Sequence, residues 1–124
     1  MPAIEISGCT FTGFRYVKKD ILDNNGKLKT NADPKGNLAE AIQIDVSHTG
    51  WTSAYRADDT PCKDIYIHDN IFYDYPAAIG NHHSLDEHHH NNIRITNNKI
   101  SGTTSQNSGI KLFGADDSIV TGNV

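Results

Sequence analysis

The chain has only two cysteines, one tryptophan, one methionine and four prolines among its 124 residues. Cys9 and Cys62 fit no zinc or redox spacing, so both are expected as small core fillers. No apolar run approaches the roughly 20 residues of a membrane-crossing helix, and no membrane partner is expected. The opening "MPAIEISGCT" has neither the basic start nor the apolar middle of a signal peptide. Basic residues are also short, 11 Lys and Arg against 15 Asp and Glu for a formal charge of −4. Without a basic face there is little to attract a nucleic-acid backbone. Hydrophobic residues reach only 36%, too few for a bundle of amphipathic helices, and the length suits a single domain.

What the chain does have is repetition. "AIEISGCTF" (3–11), "DIYIHDNIF" (64–72) and "NIRITNNKI" (92–100) share the pattern x-I-x-I-x-x-x-x-[FI], and "DSIVTGNV" (117–124) is a weaker fourth copy. Period-two alternation marks strands with one buried face. Short strands divided by Asn and Gly turns, returning at the interval from Ile65 to Ile93 (93 − 65 = 28), suit a stack of similar passes. Equivalent strands would then lie parallel, about 4.8 Å apart. Ile4, Ile65 and Ile93 should form one interior column, and Ile6, Ile67, Ile95 and Val120 another. Phe11, Ile71 and Ile100 are expected to turn inward after the bend.

A second pattern alternates with the first. "EAIQID", "AAIGNH" and "SGIKLF" align Ile42 with Ile79 and Ile110, Ile44 with Asn81 and Leu112, and Asp45 with His82 and Phe113. Asn70, Asn98 and Asn123 share one turn position of the first pattern. There an amide can hold a left-handed backbone and bond its stacked equivalent, giving an asparagine ladder.

These motifs, over most of the chain except 18–38, resemble the repeats of right-handed parallel β-helix proteins of the pectate-lyase-like superfamily. "EAIQID" followed by "CKDIYIHDNIF" and "AIGNH" is further similar to segments of phage and prophage tail-associated polysaccharide-degrading proteins. The resemblance implies an all-β right-handed parallel β-helix (solenoid) with loop insertions, expected to be a fragment of a longer solenoid. It also implies an extracellular or phage-tail location and a polysaccharide partner. It specifies the reaction poorly, because one fold hosts many chemistries.

Insertions at the turns of such a stack are where function tends to sit. The first, within 17–40, centres on "DNNGK", a turn signal that predicts an inserted loop or hairpin over 18–38; its acidic spacing is not that of an EF-hand. The second, 46–63, holds Trp51, Tyr55, Arg56, Asp58 and Asp59. Aromatic faces stack on sugar rings, so either Trp51 and Tyr55 form part of a saccharide platform or Trp51 packs across the core as a lid. The third, "NHHSLDEHHHNN" (81–92), carries five of the seven histidines. Its spacing is no zinc motif, and a solvated polar loop is expected there.

If Ile42, Ile79 and Ile110 are buried together, Gln43, Gly80 and Lys111 face outward. Asp45 and His82 then become neighbours on an exposed strip, where a carboxylate orients an imidazole and raises its pKa. Gly80 beside Gln43 would leave a shallow groove. The second and third insertions would wall a cleft. The catalytic candidates are therefore Asp45, His82, Asp58, Asp59 and Glu40, and the substrate-binding candidates Trp51, Tyr55, Arg56, Gln43 and His83. Hydrolysis needs two carboxyl groups, supplied by Asp45 with Asp58 or Asp59. β-Elimination needs a base and a charge neutraliser, supplied by His82 and Arg56. No cofactor is required, although a divalent cation is compatible with either chemistry. The expected function is binding and cleavage of a bacterial surface or extracellular polysaccharide. Its rival is a noncatalytic receptor-binding or structural module, with self-association or continuation in a longer chain, and a weaker third reading is metal binding by His88 to His90.

Overall fold

The computed structural model describes residues 2–12, 24–25, 27, 40–46, 59–73, 77–81, 85–101 and 109–124. Among these the structure is all β, with parallel sheets and no helix. The inserted loop or hairpin over 18–38 falls almost wholly outside the described residues; Asn24 and Asn25 form a turn, as "DNNGK" requires.

Eleven strands follow the chain: β1 (Ile4–Ser7), β2 (Thr10–Thr12), β3 (Glu40–Gln43), β4 (Lys63–His68), β5 (Ile71–Tyr73), β6 (Ala77–Gly80), β7 (His90–Thr96), β8 (Lys99–Ser101), β9 (Ile110–Lys111), β10 (Ala115–Asp116) and β11 (Ile119–Thr121). One sheet runs β1-β4-β7, with β10 and β11 both pairing with β7; the others run β2-β5-β8 and β3-β6-β9. Every pairing between these strands is parallel. The chain thus visits three sheets in turn, and each pass lies beside the next.

The register is the one the repeats require. Ile4 pairs with Ile65 and Ile65 with Ile93; Ile6 pairs with Ile67, Ile67 with Ile95 and Ile95 with Val120. Ile42 pairs with Ile79 and Ile79 with Ile110. Alternation sends these isoleucines to a shared interior, where Ile67, Ile79, Ile93 and Ile95 are wholly buried. The outer passes have a neighbour on one side only, which leaves Ile4 51% and Val120 47% exposed.

Two expectations about apolar residues are corrected. Phe72, not Ile71, turns inward: Phe11 pairs with Phe72 and Phe72 with Ile100, while Ile71 is 46% exposed. Phe11 and Phe72 stack with centroids 4.9 Å apart and planes 5° from parallel. Cys9 is exposed rather than a core filler, because it occupies the ladder position at the rim of the first pass; Cys62 is half-buried and packs against the core.

The asparagine ladder is present and runs one way. Asn70 and Asn98 are fully enclosed. Asn98 Oδ1 accepts from both the backbone N–H and the side-chain amide of Asn70, and Asn123 Oδ1 does the same for Asn98. The second amide hydrogens go to the carbonyls of Ile6, Ile67 and Ile95. The left-handed backbone expected at Asn70, Asn98 and Asn123 falls instead on the residue before each ladder position: Gly8, Asp69, Asn97 and Gly122 all have φ between 55° and 69°. That left-handed turn suits Gly, Asn and Asp, which is why these types recur there.

Candidate functional site

The second pattern places its candidate residues as follows. Ile44 and Val46 are buried and Ile42 packs against the core, so Gln43 and Asp45 fall on the opposite side of the strand. Gln43 Nε2 donates to Asp45 Oδ2 at 2.6 Å. Gln43 pairs with Gly80 and Gly80 with Lys111. The expected groove at Gly80 is filled: a Cβ there would lie 2.9 Å from the carbonyl oxygen of Lys111 and 3.5 Å from Cγ of Glu40. Glycine at this point permits close backbone approach, and the Glu40 stem covers it. Asp58, His82, His83, Trp51, Tyr55 and Arg56 lie outside the described residues, and with them the Asp45–His82 pair.

Asp59 is described, half-buried with φ 60°. Together with Leu85, Asp86, Glu87 and His88 it lines a cavity of about 310 Å³. A turn presents these last residues: the His88 N–H donates to the Leu85 carbonyl at 3.1 Å, which projects Asp86 and Glu87 to its exposed tip. The second and third insertions therefore meet, one contributing Asp59 and the other two carboxylates and an imidazole. Nothing in the spacing of "SLDEH" alone marked Asp86 and Glu87 as site residues; their juxtaposition with Asp59 does.

The histidine run is not uniformly solvated. His88 is exposed, and His89 Nδ1 meets Asp116 Oδ1 at 3.0 Å, but His90 opens β7 with no exposed surface. The Cys62 N–H donates to His90 Nδ1 at 3.0 Å, so the proton of a neutral ring sits on Nε2. That Nε2 has no partner among the described residues. Burial pushes the Cys62 thiol up, and its Sγ donates to the Asp45 carbonyl at 3.4 Å. A protonated, partly enclosed thiol is a poor nucleophile. Asn81 is likewise buried rather than solvated. Its amide donates to the Phe113 carbonyl at 2.8 Å and its Oδ1 accepts the Phe113 N–H at 3.1 Å. Its alignment with Ile44 and Leu112 was the signal, since an inward asparagine must find buried partners. No three His, Cys, Asp or Glu side chains are grouped to hold a metal among the described residues.

A second cluster went unread in the sequence because it uses the variable positions of the first pattern. His68 Nε2 lies 2.7 Å from Glu5 Oε1 and Nδ1 lies 2.5 Å from Asp69 Oδ2. The Asp69 contact first, and then that to Glu5, raises the His68 pKa above its ordinary value. Tyr66 stacks on the imidazole, centroids 4.0 Å apart. Comparison with family models, curated proteins and solved structures gives no match for this chain.

Proposed function

We propose that the chain is a right-handed parallel β-helix of the pectate-lyase-like kind that binds and cleaves a bacterial surface or extracellular polysaccharide, outside the cell or on a phage tail. The parallel pairing at a 28-residue interval and the inward asparagine ladder support the fold reading. The cavity shared by Asp59, Asp86, Glu87 and His88 carries the functional one. Carboxylates arrayed on two walls can accept several sugar hydroxyls at once. Hydrolysis of a glycosidic bond asks for one carboxyl as acid and another as base or nucleophile. Asp59 from one insertion and Glu87 or Asp86 from the other fill those two roles. Gln43-bound Asp45 and the Glu40 stem over Gly80 hold the adjoining sheet in this reading, which moves the chemistry from the outward strip to the insertions.

The test is release of reducing or unsaturated ends from a panel of bacterial capsular and extracellular polysaccharides. Asp59→Asn and Glu87→Gln should each slow release by about a hundredfold, the scale of losing a positioned acid or base. Undiminished release in both variants overturns the site. A noncatalytic receptor-binding or structural module is the second reading; binding without product would select it.

A further inference from the structure

On the β1-β4-β7 sheet, remote in sequence from Asp59 and 85–88, the outward side chains form rows across the passes. Glu5 pairs with Tyr66 and Tyr66 with Arg94; Ser7 pairs with His68 and His68 with Thr96. Between the first row and the Asp64–Asn92 pair lies a cavity of about 110 Å³, lined by Pro2, Asp64, Ile65, Tyr66, Asn92 and Arg94. Asn92 Nδ2 donates to Asp64 Oδ1 at 3.0 Å, so Asp64 keeps Oδ2 as an acceptor. The Arg94 guanidinium, on an exposed residue, has no ion pair or hydrogen bond among the described residues.

The aromatic wall is held from behind. His68 covers one face of the Tyr66 ring, and Glu5 and Asp69 grip both imidazole nitrogens. A neutral imidazole can donate from only one nitrogen, whereas an imidazolium donates from both. With two carboxylates at 2.7 and 2.5 Å, the charged form satisfies both contacts. Glu5 belongs to the first pass and His68 to the second, so this grip also fixes two passes against each other.

An aromatic ring, a fork of guanidinium donors, a carboxylate acceptor and a carboxamide converge on one small cavity. This combination matches one edge of a pyranose ring, whose C–H groups lie against the aromatic and whose adjacent hydroxyls take Arg and Asp together. A bare anion fits less well, since Asp64 shares the cavity with Arg94, and an apolar ligand would strand both charges. We infer that the outer face of this sheet carries a saccharide subsite formed by Asp64, Tyr66, Asn92 and Arg94, with His68 as its positioning residue. The inference rests on the polysaccharide reading for its ligand class and on none of the same residues.

The test is amide chemical-shift mapping of the 124-residue chain titrated with maltohexaose, cellohexaose, chitohexaose and hexagalacturonate. At least one probe should shift the amides of Asp64, Asn92 and Arg94. Arg94→Ala should weaken that binding by roughly tenfold or more, the scale of one hydrogen bond to a charged group. Tyr66→Leu should weaken it similarly. His68→Asn should weaken binding with a loss that grows toward acid pH, where the wild-type ring is fully charged. Arg94 is exposed and has no partner among the described residues, so its variant does not threaten folding. Shifts confined to 85–88 and Asp59 would overturn this subsite while leaving the cavity between the insertions in place. Shifts at Asp64, Asn92 and Arg94 with none at Asp59 or 85–88 would do the reverse. Unchanged affinity in both Arg94→Ala and Tyr66→Leu, or no response to any probe, would also overturn it.

Discussion

Asn70 and Asn98 are joined twice through a single atom: Asn98 Oδ1 receives both the backbone N–H and the side-chain amide of Asn70, each at 3.0 Å. Both residues are enclosed, so breaking the link strands buried donors that water cannot reach. Asn98→Ala is expected to cost about 2–4 kcal/mol, as more than one buried group loses its partner. Asn98→Asp should cost more at neutral than at acid pH, because its charge would be buried and the donors to Ile67 and Asn123 lost. Urea unfolding of the variants measures both.

Phe72 and Ile71 are adjacent and both apolar, yet only Phe72 is enclosed. Truncating Phe72 to alanine should destabilise by about 3–5 kcal/mol, a cavity plus the lost transfer of the ring. Ile71→Ala should stay within about 1 kcal/mol, as for an exposed position. Equal losses at the two sites would contradict the observed facing.

Gly80→Ala places a methyl group 2.9 Å from the backbone oxygen of Lys111. Backbone on a paired strand cannot step aside as a flexible side chain would. A loss of about 1–3 kcal/mol is expected, in the range of overpacking, readable as a fall in the thermal midpoint.

His68 sets a pH dependence with a definite sign. Its pKa is raised in the folded chain by Asp69 and Glu5. Its contribution to stability is then complete below the ordinary value of 6.5 and fades as pH climbs through the higher folded value. Stability scans should show a decline as pH rises above 6.5 that His68→Asn removes and Glu5→Gln reduces. A scan for His68→Asn that parallels the unaltered chain would refute this.

The columns of isoleucine and the ladder were legible because stacking demands like residues at like positions, and Ile65, Ile93, Asn70 and Asn98 write that demand directly into the chain. Phe72 was mistaken for Ile71 because two apolar neighbours follow the turn and periodicity alone does not say which resumes the inward phase. Gly80 read as an empty space for the same reason: sequence gives the missing side chain but not Glu40, which folds over it. The Glu5–His68–Asp69 cluster was invisible for a different reason. Its members occupy positions the repeat leaves free, and Glu5 and His68 meet only because the register carries residue 5 to the side of residue 66. His90 shows the limit of composition, since a run of three histidines sends one to solvent, one to Asp116 and one to the interior.

The amide column also has a head and a tail. At its start, where the others have asparagine, Cys9 offers only its backbone N–H to Asn70, at 3.0 Å. At its finish, Asn123 turns its spare hydrogen back to the Thr121 carbonyl at 3.2 Å. Two such columns could therefore be spliced only tail to head, since a tail-to-tail junction would bring donor against donor. Any neighbour that lengthens this polar thread must arrive with the same sense of direction as the chain itself.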